Sequence, residues 1–228
     1  MSLYVIGDLH LSLGTDKPMD VFGGRWKDYV EKLREGLSVI RPEDTAVLLG
    51  DLSWALGLPA AEKDFEFISD IPGRKLIVKG NHDYWWTTAA KFRHFCAEHQ
   101  WENIELLHNN CAFYGDIALC GTRGWFFEED KQGTHDEKIF LRELGRLETS
   151  LRAAEDHEKW CFLHYPPLYT GYRCEEIIAL LHKYDVKKCF YAHLHSDSHR
   201  LAKEGMFDDI EYRLVSSDYL RFCPFLIR

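Results

Sequence analysis

The chain contains 228 residues, and its composition of 46 % hydrophobic and 29 % charged residues is typical of a globular protein. Its formal net charge of −9 at pH 7 disfavours binding of long nucleic acids, because that binding depends on clustered Lys and Arg. The seven cysteines show no CxxC spacing, so neither a zinc ribbon nor a disulfide framework is predicted, and a reducing compartment is favoured.

Two features of the sequence argue against export and membrane insertion. Asp8 interrupts the first apolar run, which is too early for the apolar core of a signal peptide. No apolar segment approaches the roughly 18 residues that a membrane-spanning helix needs. We therefore expect a cytoplasmic protein without a membrane partner, and the sequence predicts no particular oligomeric state.

The first half of the chain alternates strand-like and helix-like segments. Three short apolar runs end in Gly and polar residues, which predicts strands at LYVIGD, TAVLLGD and KLIVKGNHD. Between them, apolar residues at helical spacing predict helices over residues 25–40, 59–70 and 87–99. The predicted order is therefore βαβαβα.

The second half of the chain has a mixed pattern. Short strands with turns at Asn109-Asn110 and Gly115-Asp116 come first. A helix over residues 134–158, the strand WCFLH, a helix over residues 174–184, the strand VKKCFYAHLH and an alternating segment over residues 210–227 follow. These elements predict an α/β (α+β) fold with two sheets or one large mixed sheet flanked by helices. Because no linker is visible, residues 1–228 are predicted to form a single domain.

Polar residues that can bind metals stand at the ends of five predicted strands. They are Asp8, His10, Asp51, Asn81, His164, His193 and His195, with His82 and Asp83 directly after Asn81. Taken alone, Asp8 and His10 would be explained as a surface turn, and His164 as a strand-end histidine. Ligands of open α/β sheets bind beyond the carboxyl ends of the strands, so five strand ends can deliver these side chains to one metal site.

The donor types constrain the metal. Carboxylate, imidazole and amide donors without thiolate favour Mn, Fe, Zn, Co or Ni over Ca, whose ligands are all oxygen. The set exceeds the number of ligands that one transition-metal ion usually takes, which favours two ions sharing a carboxylate. Two ions about 3.5–4 Å apart form a clamp for in-line displacement at phosphorus. We therefore expect two divalent ions, with Mn as the first choice, and a small phosphorylated substrate.

The motifs DLH, GD, GNHD, H before YPP, and HLH occur in that order between Asp8 and His195, and together they resemble the calcineurin-like metallophosphoesterase family. The resemblance implies a four-layer αββα sandwich of two mixed β-sheets flanked by helices. It also implies that one ion is held by Asp8, His10, Asp51 and His195. The second ion would be held by Asp51, Asn81, His164 and His193, so that Asp51 bridges the two.

The same resemblance implies a reaction and roles for two more residues. A metal-bridging hydroxide would attack phosphorus in line and hydrolyse a phosphomonoester or phosphodiester bond of a small soluble molecule. His82 would contact the phosphate and protonate the leaving oxygen. Asp83 would orient His82 by accepting its second ring proton.

Five further residues are candidates for substrate contacts, because they lie close to these motifs or to a Gly-rich loop. They are Arg25, Trp54, Trp85, Arg123 and Tyr165. Packing in the core is the alternative for the aromatic residues. In a substrate cleft, an Arg would bind a second phosphate or polar group, and aromatic rings would stack on a base or sugar. The loop of residues 11–24 is expected to cover part of the site.

Two other functions stay open from the sequence. A catalytically inactive binding or scaffold protein on the same fold would be expected to lack a metal ligand or the histidine of GNHD, whereas every position is filled here. A nuclease would use the same site but needs a basic groove, which the net charge of −9 disfavours.

Overall fold

The computed structural model describes residues 1–17, 19–125 and 134–228. Within these ranges two large mixed β-sheets lie face to face, and helices cover the outer face of each sheet. Strands and helices are numbered below in chain order. The sheets matter for function because their strand ends meet at one edge, where the candidate metal ligands lie.

The first sheet has five strands. They are β1 (Leu3–Ile6), β2 (Thr45–Leu49), β3 (Arg74–Val78), β4 (Ile104–Leu106) and β13 (Phe225–Leu226). Their spatial order is β13-β1-β2-β3-β4. Strands β1 to β4 are parallel, and β13 pairs antiparallel with β1. The predicted strands in LYVIGD, TAVLLGD and KLIVKGNHD are thus confirmed as β1, β2 and β3.

The second sheet has six strands. They are β5 (Cys111–Tyr114), β6 (Ile117–Thr122), β7 (Glu158–Leu163), β10 (Val186–Tyr191), β11 (Gly205–Phe207) and β12 (Ile210–Leu214), and the small hairpin of β8 (Leu168–Tyr169) and β9 (Tyr172–Arg173) lies apart from them. Their order is β11-β12-β10-β7-β6-β5. The four central strands are parallel, and both edge strands are antiparallel to their neighbours.

The helices of the described residues are α1 (Tyr29–Leu37), α2 (Leu58–Asp70), α3 (Ala89–Glu98), α4 (Thr134–Arg152) and α5 (Glu175–Lys183). Short 3₁₀ turns cover Met19–Phe22, Gly24–Trp26 and Ser196–Leu201. In the part of the chain that the structure describes, no helix combines the length and apolarity that crossing a membrane would require.

Three predicted boundaries differ from the structure, and each difference follows from the backbone. The helix predicted over residues 25–40 begins at Tyr29, because Asp28 has a left-handed φ of 54° that separates it from the preceding 3₁₀ turn. The helix predicted to reach residue 158 ends at Arg152, and Glu155 is again left-handed with φ 47°. Residues 210–227 are split between β12 and β13, so the chain crosses from one sheet to the other there.

Three apolar clusters separate the layers. One packs the first sheet against α1, α2 and α3, through Ile6, Leu48, Ile77, Leu33, Phe65 and Phe92 among others. The second fills the space between the sheets, with Val5, Val47, Val78, Leu119, Phe162 and Phe190. The third packs the second sheet against α4 and α5, with Cys120, Leu163, Tyr191, Leu147, Ile177 and Leu181. The predicted α/β sandwich with helix layers outside two mixed sheets is therefore confirmed.

The layered packing explains why the polar motifs stand where they do. Successive residues of a strand point to opposite faces, and the central strands are covered on both faces, so they consist of apolar runs. In β1, Val5 faces the other sheet and Ile6 faces the helices. Polar residues can follow only where a strand leaves the sandwich, which places them at the edge formed by the carboxyl ends.

Candidate metal centre

Five strands end at one edge of the sandwich and bring the predicted metal ligands together. Asp8 and His10 follow β1, Asp51 follows β2, Asn81 follows β3, His164 follows β7, and His193 and His195 follow β10. The first donor group consists of Asp8, His10 and His195, whose ligand atoms lie within 4.8 Å of one another. The second consists of Asp51, His164 and His193, with ligand atoms equally close together.

Asp51 and Asn81 complete the arrangement of the two groups. Asp51 Oδ2 lies 3.8 Å from His10 Nε2, and its Oδ1 lies 3.6 Å from His164 Nε2. One carboxylate therefore faces both donor groups with different oxygens. Asn81 Oδ1 is 2.7 Å from His164 Nε2, which adds an amide oxygen to the second group.

Hydrogen bonds behind the rings orient two of the histidines. His164 Nδ1 lies 3.1 Å from the carbonyl oxygen of Leu49, and His195 Nδ1 lies 2.9 Å from Asp218 Oδ1. Both partners are acceptors, so each ring donates its Nδ1–H. This assignment leaves the Nε2 lone pair of each ring directed at the donor groups, as metal ligation requires.

The donor set fits divalent metal ions. Asp8 Oδ1 is buried and finds no hydrogen-bond partner among the described residues, although it lies 3.7 Å from His195 Nε2. His10 Nε2 and His195 Nε2 are 3.3 Å apart. Two bonds of about 2.1 Å meeting at 90–110° would place their ligand atoms about 3.0–3.4 Å apart. A shared ion would therefore account both for the close approach of the two imidazole nitrogens and for the buried carboxylate oxygen that has no hydrogen-bond partner among the described residues.

The backbone of the ligand loops is strained. Asp8, His10, Asp51 and His193 all have positive φ, from 47° to 72°, a region that non-Gly residues rarely adopt. Hydrogen bonds between the loops hold these conformations, including Asp8 N to Gly50 O at 2.9 Å and His193 N to Asp8 Oδ2 at 2.9 Å. Strain that surrounding contacts maintain often occurs at functional sites, and four of the fourteen non-Gly residues with positive φ among the described residues are predicted ligands.

The electrostatics of the centre also fit cation binding. Burial raises the pKa of Asp8 to about 6, and burial together with Asp83 and Asp8 raises the pKa of Asp51. Burial and neighbouring imidazoles lower the pKa of His10 and His164 well below the usual value. Both shifts suit a divalent cation. Its positive charge would stabilise the ionised form of the buried carboxylates, and it binds only imidazoles that are neutral.

His82 lies at the mouth of the centre. Its backbone N–H donates to Asp51 Oδ1 at 2.7 Å, and its ring packs against Trp54 with centroids 4.5 Å apart. Burial, with smaller effects from Lys17 and His195, lowers the pKa of His82 to about 4. The ring is therefore neutral at pH 7 in the free protein, and a bound phosphate dianion would raise that pKa again.

Asp83 does not orient His82 as predicted. Its Oδ2 accepts hydrogen bonds from the backbone N–H groups of Gly80 and Asp51, at 2.7 and 2.9 Å. Its Oδ1 accepts from Leu52 N and Trp85 Nε1. The His82 ring instead places Nδ1 3.3 Å from the Tyr84 hydroxyl. The buried Asp83 carboxylate thus links the loop after β3 to the loop after β2. These donors occupy both of its oxygens, so neither is left to accept a hydrogen bond from the His82 ring.

A cavity of about 250 Å³ opens above the donor groups. It is lined by His10, Met19, Phe22, Trp26, Asp51, Trp54, His82, His193, His195 and Ser196. Trp54 stacks on His10 with centroids 4.9 Å apart, so this substrate-contact candidate does lie at the site. Met19, Phe22 and Trp26 come from the loop of residues 11–24 and the turn after it, which agrees with the expected cover over the site.

Two of the other substrate-contact candidates lie elsewhere. Trp85 is 2 % exposed, and its ring packs against Phe65 and Phe92. The predicted substrate contact of Trp85 is therefore wrong, because the helix layer takes the ring into its core. Arg25 is exposed and is absent from the described residues that line the cavity. Its neighbour Trp26 contributes to that lining instead.

Tyr165 and Arg123 lie beside the centre rather than in its cavity. The Tyr165 ring is 4.6 Å from the His193 ring, and Tyr165 N donates to the carbonyl oxygen of Arg123 at 2.8 Å. The Arg123 guanidinium is 3.4 Å from the buried carboxylate of Glu143. It lines a separate narrow cleft with Lys79, His108 and Arg146 and is not among the described residues that line the cavity above the donor groups.

Three contributors to the site were missed from the sequence. Lys17 places Nζ 3.5 Å from the centroid of the Trp54 ring, which lines the cavity. Ser217 and Asp218 contact Asp8 and His195 from a turn near the C-terminus. None of these residues belongs to a motif with recognisable spacing. The tripeptide Ser-Ser-Asp at residues 216–218, which contains two of them, has the composition of an ordinary turn.

Gly80 is expected to be indispensable for the position of Asp51. A Cβ atom at residue 80 would overlap Asp51 N and Oδ1. We expect Gly80→Ala to lower the free energy of unfolding by about 1–3 kcal/mol through overpacking and to reduce bound Mn²⁺. Urea denaturation and metal analysis of the dialysed protein measure the two effects. Gly145→Ala, within α4 and with open space around the added Cβ, is the matched control and should stabilise the protein by up to about 1 kcal/mol.

Sequence comparison adds an independent line of support to this geometry. A sequence model of the calcineurin-like phosphoesterase family matches residues 1–197. The chain belongs to the calcineurin-like phosphoesterase family. The match covers every predicted ligand and ends before the turn that holds Asp218. A comparison with curated protein sequences found no match.

Solved structures with the same fold have low sequence identity to this family member. Phosphopantetheinyl hydrolase (PptH) from Mycobacterium tuberculosis has a TM-score of 0.59 at 13 % identity, with 96 % of this chain and 92 % of that chain covered. AQ665 from Aquifex aeolicus, described as a protein of unknown function, has a TM-score of 0.52 at 16 % identity, with 99 % and 95 % covered. TT1561 from Thermus thermophilus gives 0.52 at 14 % identity, with 92 % and 86 % covered. At these identities the similarity establishes the fold alone.

Proposed function

We propose that this family member is a phosphohydrolase that depends on two divalent metal ions, with Mn²⁺ as the first choice and Fe, Zn, Co or Ni as alternatives. One ion would be held by Asp8, His10, Asp51 and His195. The other would be held by Asp51, Asn81, His164 and His193. The observation that carries the proposal is the Asp51 carboxylate, which faces both donor groups through separate oxygens. A single-ion site would not need that arrangement.

Each part of the site has a task in such a reaction. When bound, the two ions would polarise the phosphoryl group and lower the pKa of a water molecule so that it can attack near neutral pH. The His82 side chain lies at the cavity mouth, where it can donate a hydrogen bond to the phosphate and a proton to the leaving oxygen. Lys17 adds a positive charge above Trp54, and this charge favours an anionic substrate.

The cavity bounds the size and character of the substrate. A volume of about 250 Å³ suits a small phosphorylated molecule better than a polymer. Met19, Phe22, Trp26 and Trp54 give the cavity one apolar and aromatic wall, against which a hydrophobic or planar part of the substrate would pack. Tyr165, whose ring lies beside that of His193, and Arg123 are proposed as further substrate contacts at the edge of the site.

A substrate panel assayed with Mn²⁺ tests the proposal. The panel contains an aryl monophosphate, a bis-aryl phosphate, a cyclic nucleotide, a dinucleoside polyphosphate and a phosphopantetheinyl ester, the last because one structural relative carries that name. We expect hydrolysis of at least one ester, loss of that activity after chelation and dialysis, and recovery on adding Mn²⁺. Activity that survives complete metal removal would contradict the proposal.

The two alternatives make different predictions in the same assay. An inactive binding protein would take up Mn²⁺ or a ligand without hydrolysing any ester, but the complete set of ligands together with His82 argues against this. A nuclease would hydrolyse a single-stranded oligonucleotide, which is therefore added to the panel. None of the described residues that line the cavity is Lys or Arg, and the charge of Lys17 over Trp54 does not by itself make the basic groove that a polymer would require.

A further inference from the structure

A turn near the C-terminus packs against the first donor group from behind. It consists of residues 216–218, called here the SSD turn, and follows β12. All three of its residues are buried, and Asp218 is 3 % exposed. The SSD turn lies beyond residues 1–197, which the family model matches, and none of its residues belongs to a motif of the centre.

The Asp218 carboxylate is the meeting point of three donors. Its Oδ1 accepts from His195 Nδ1 at 2.9 Å and from His199 Nε2 at 3.2 Å. Its Oδ2 accepts from the backbone N–H of Ser196 at 3.0 Å. Both oxygens are thus engaged with the ring of one candidate ligand and with the backbone directly after it, which fixes the position of that ring as well as its rotation.

We propose that Asp218 is a positioning residue of the metal centre, which holds His195 in the tautomer and orientation needed to bind the ion of the first donor group. The inference rests on the metal dependence proposed above. With the proton on Nδ1 directed to Asp218, the Nε2 lone pair faces Asp8 Oδ1 at 3.7 Å and His10 Nε2 at 3.3 Å. A carboxylate behind a ligating imidazole also increases its basicity and hence its affinity for the metal.

The same turn holds a second ligand of that group. Ser217 Oγ donates to the carbonyl oxygen of Asp8 at 2.6 Å, and Ser217 N donates to the carbonyl oxygen of Gly7 at 3.0 Å. These bonds support Asp8 in its left-handed conformation of φ 59°. One short turn therefore sets both Asp8 and His195, which lie 187 positions apart in the numbering of the sequence.

The two donor groups differ in this respect. Behind His164, in the second group, the acceptor is the neutral carbonyl oxygen of Leu49, whereas behind His195 it is a buried carboxylate. Loss of the Asp218 charge should therefore weaken one of two bound ions and leave the other unchanged. If Asp218 served only the stability of the fold, its replacement would not lower the affinity for one ion selectively.

Asp218→Asn tests this separation without changing the size of the side chain. Mn²⁺ binding to the metal-free full-length protein is measured by equilibrium dialysis and calorimetry. We expect the wild type to bind two equivalents, and the variant to bind one with wild-type affinity and the other about 10–100-fold more weakly. The matched control is Asp44→Asn, a buried carboxylate that accepts from Ser2 N and Arg41 N. Asp44 directly precedes β2, at the end of the strand opposite to the centre.

Nitrogen-15 NMR of the imidazole rings in the metal-free wild type provides a second test, which does not depend on the folding of a variant. The His195 signals are identified by their absence in His195→Gln, and the spectra are recorded at a pH high enough for the His195 ring to be neutral, because against the effect of burial Asp8 and Asp218 raise its pKa. We expect the single proton of the neutral ring on Nδ1. Equal affinity of Asp218→Asn and wild type for both equivalents would overturn the inference, as would a neutral His195 ring protonated on Nε2. A wild type that binds no Mn²⁺ would instead overturn the proposed function and this inference with it.

Discussion

Asp51→Asn is expected to reduce Mn²⁺ binding from two equivalents to at most one and to lower kcat/KM by about 10³–10⁴-fold. Asp51 is the residue that faces both donor groups, with Oδ2 3.8 Å from His10 Nε2 and Oδ1 3.6 Å from His164 Nε2. An amide keeps the shape of the side chain but offers one neutral oxygen in place of two charged ones. Metal analysis and steady-state kinetics on the most active ester of the panel measure both effects.

The metal-free form of the same variant should behave differently. Burial and the nearby carboxylates of Asp83 and Asp8 raise the pKa of Asp51, so the ionised group destabilises the folded protein when no cation is present. Removing its charge is therefore expected to leave the metal-free Tm unchanged or to raise it. A thermal melt in chelator measures this. The combination of lost activity with retained stability would show that Asp51 serves the ions rather than the fold.

Asp44→Asn is the control for Asp51→Asn, since it removes a buried carboxylate far from the centre. It should retain both equivalents of Mn²⁺ and full activity. Its free energy of unfolding should fall by roughly 1–3 kcal/mol, because the backbone N–H groups of Ser2 and Arg41 would donate to a weaker acceptor. Equal activity of Asp51→Asn and wild type would contradict the mechanism. Two equivalents bound tightly by Asp51→Asn would contradict the bridging role alone.

His82→Ala is expected to keep both metal ions and to lose about 10²–10⁴-fold in kcat, the usual contribution of a positioned general acid. His82 belongs to neither donor group, and its ring lies at the cavity mouth beside Trp54. The loss should be larger for an alkyl phosphate than for a nitrophenyl phosphate, because a nitrophenolate departs without needing a proton. Kinetics with the two esters under saturating Mn²⁺ measure the difference.

Tyr84→Phe is the matched control for His82→Ala. It removes the hydroxyl that lies 3.3 Å from His82 Nδ1 but leaves the ring of His82 in place. We expect a small change in kcat, because the exposed hydroxyl is replaceable by water. An equal loss with both leaving groups in His82→Ala would show that His82 binds the phosphate without transferring a proton. A loss of Mn²⁺ in that variant would show that it helps to hold the metal.

Local patterns predicted much of the scaffold and its polar edge. The strand–Gly–Asp pattern recurs at Asp8 and Asp51, and the GNHD motif follows a third apolar run. Each pattern reflects a parallel strand that is covered on both faces and can carry polar residues only after it leaves the core. Helix ends were predicted less well, because left-handed residues such as Asp28 and Glu155 break a helix without any change in apolar spacing.

Side-chain roles at the site depended on contacts that no local pattern records. Asp83 follows His82 directly, yet its carboxylate binds the backbone of residues 51 and 52, which are more than 30 positions away. Trp85 follows the same motif and lies in the helix-covered core rather than in the cleft. The prediction for Trp85 took adjacency in sequence for adjacency at the site, and the role of Asp83 was an implication of the family resemblance. In the structure, the direction of each side chain is set by the loop or layer that it packs against.

The order of the motifs was therefore enough to name the family and the candidate metal donors that the fold brings together, since burial of the central strands leaves few places where a carboxylate or an imidazole can follow an apolar run. The coordinates were needed to find what holds and covers those donors. Asp218 is 23 residues from His195, and Lys17 is 37 residues from Trp54. Such contacts between separate loops arise from the packing of the two sheets against each other. They produce no periodic pattern in the sequence from which they could be predicted.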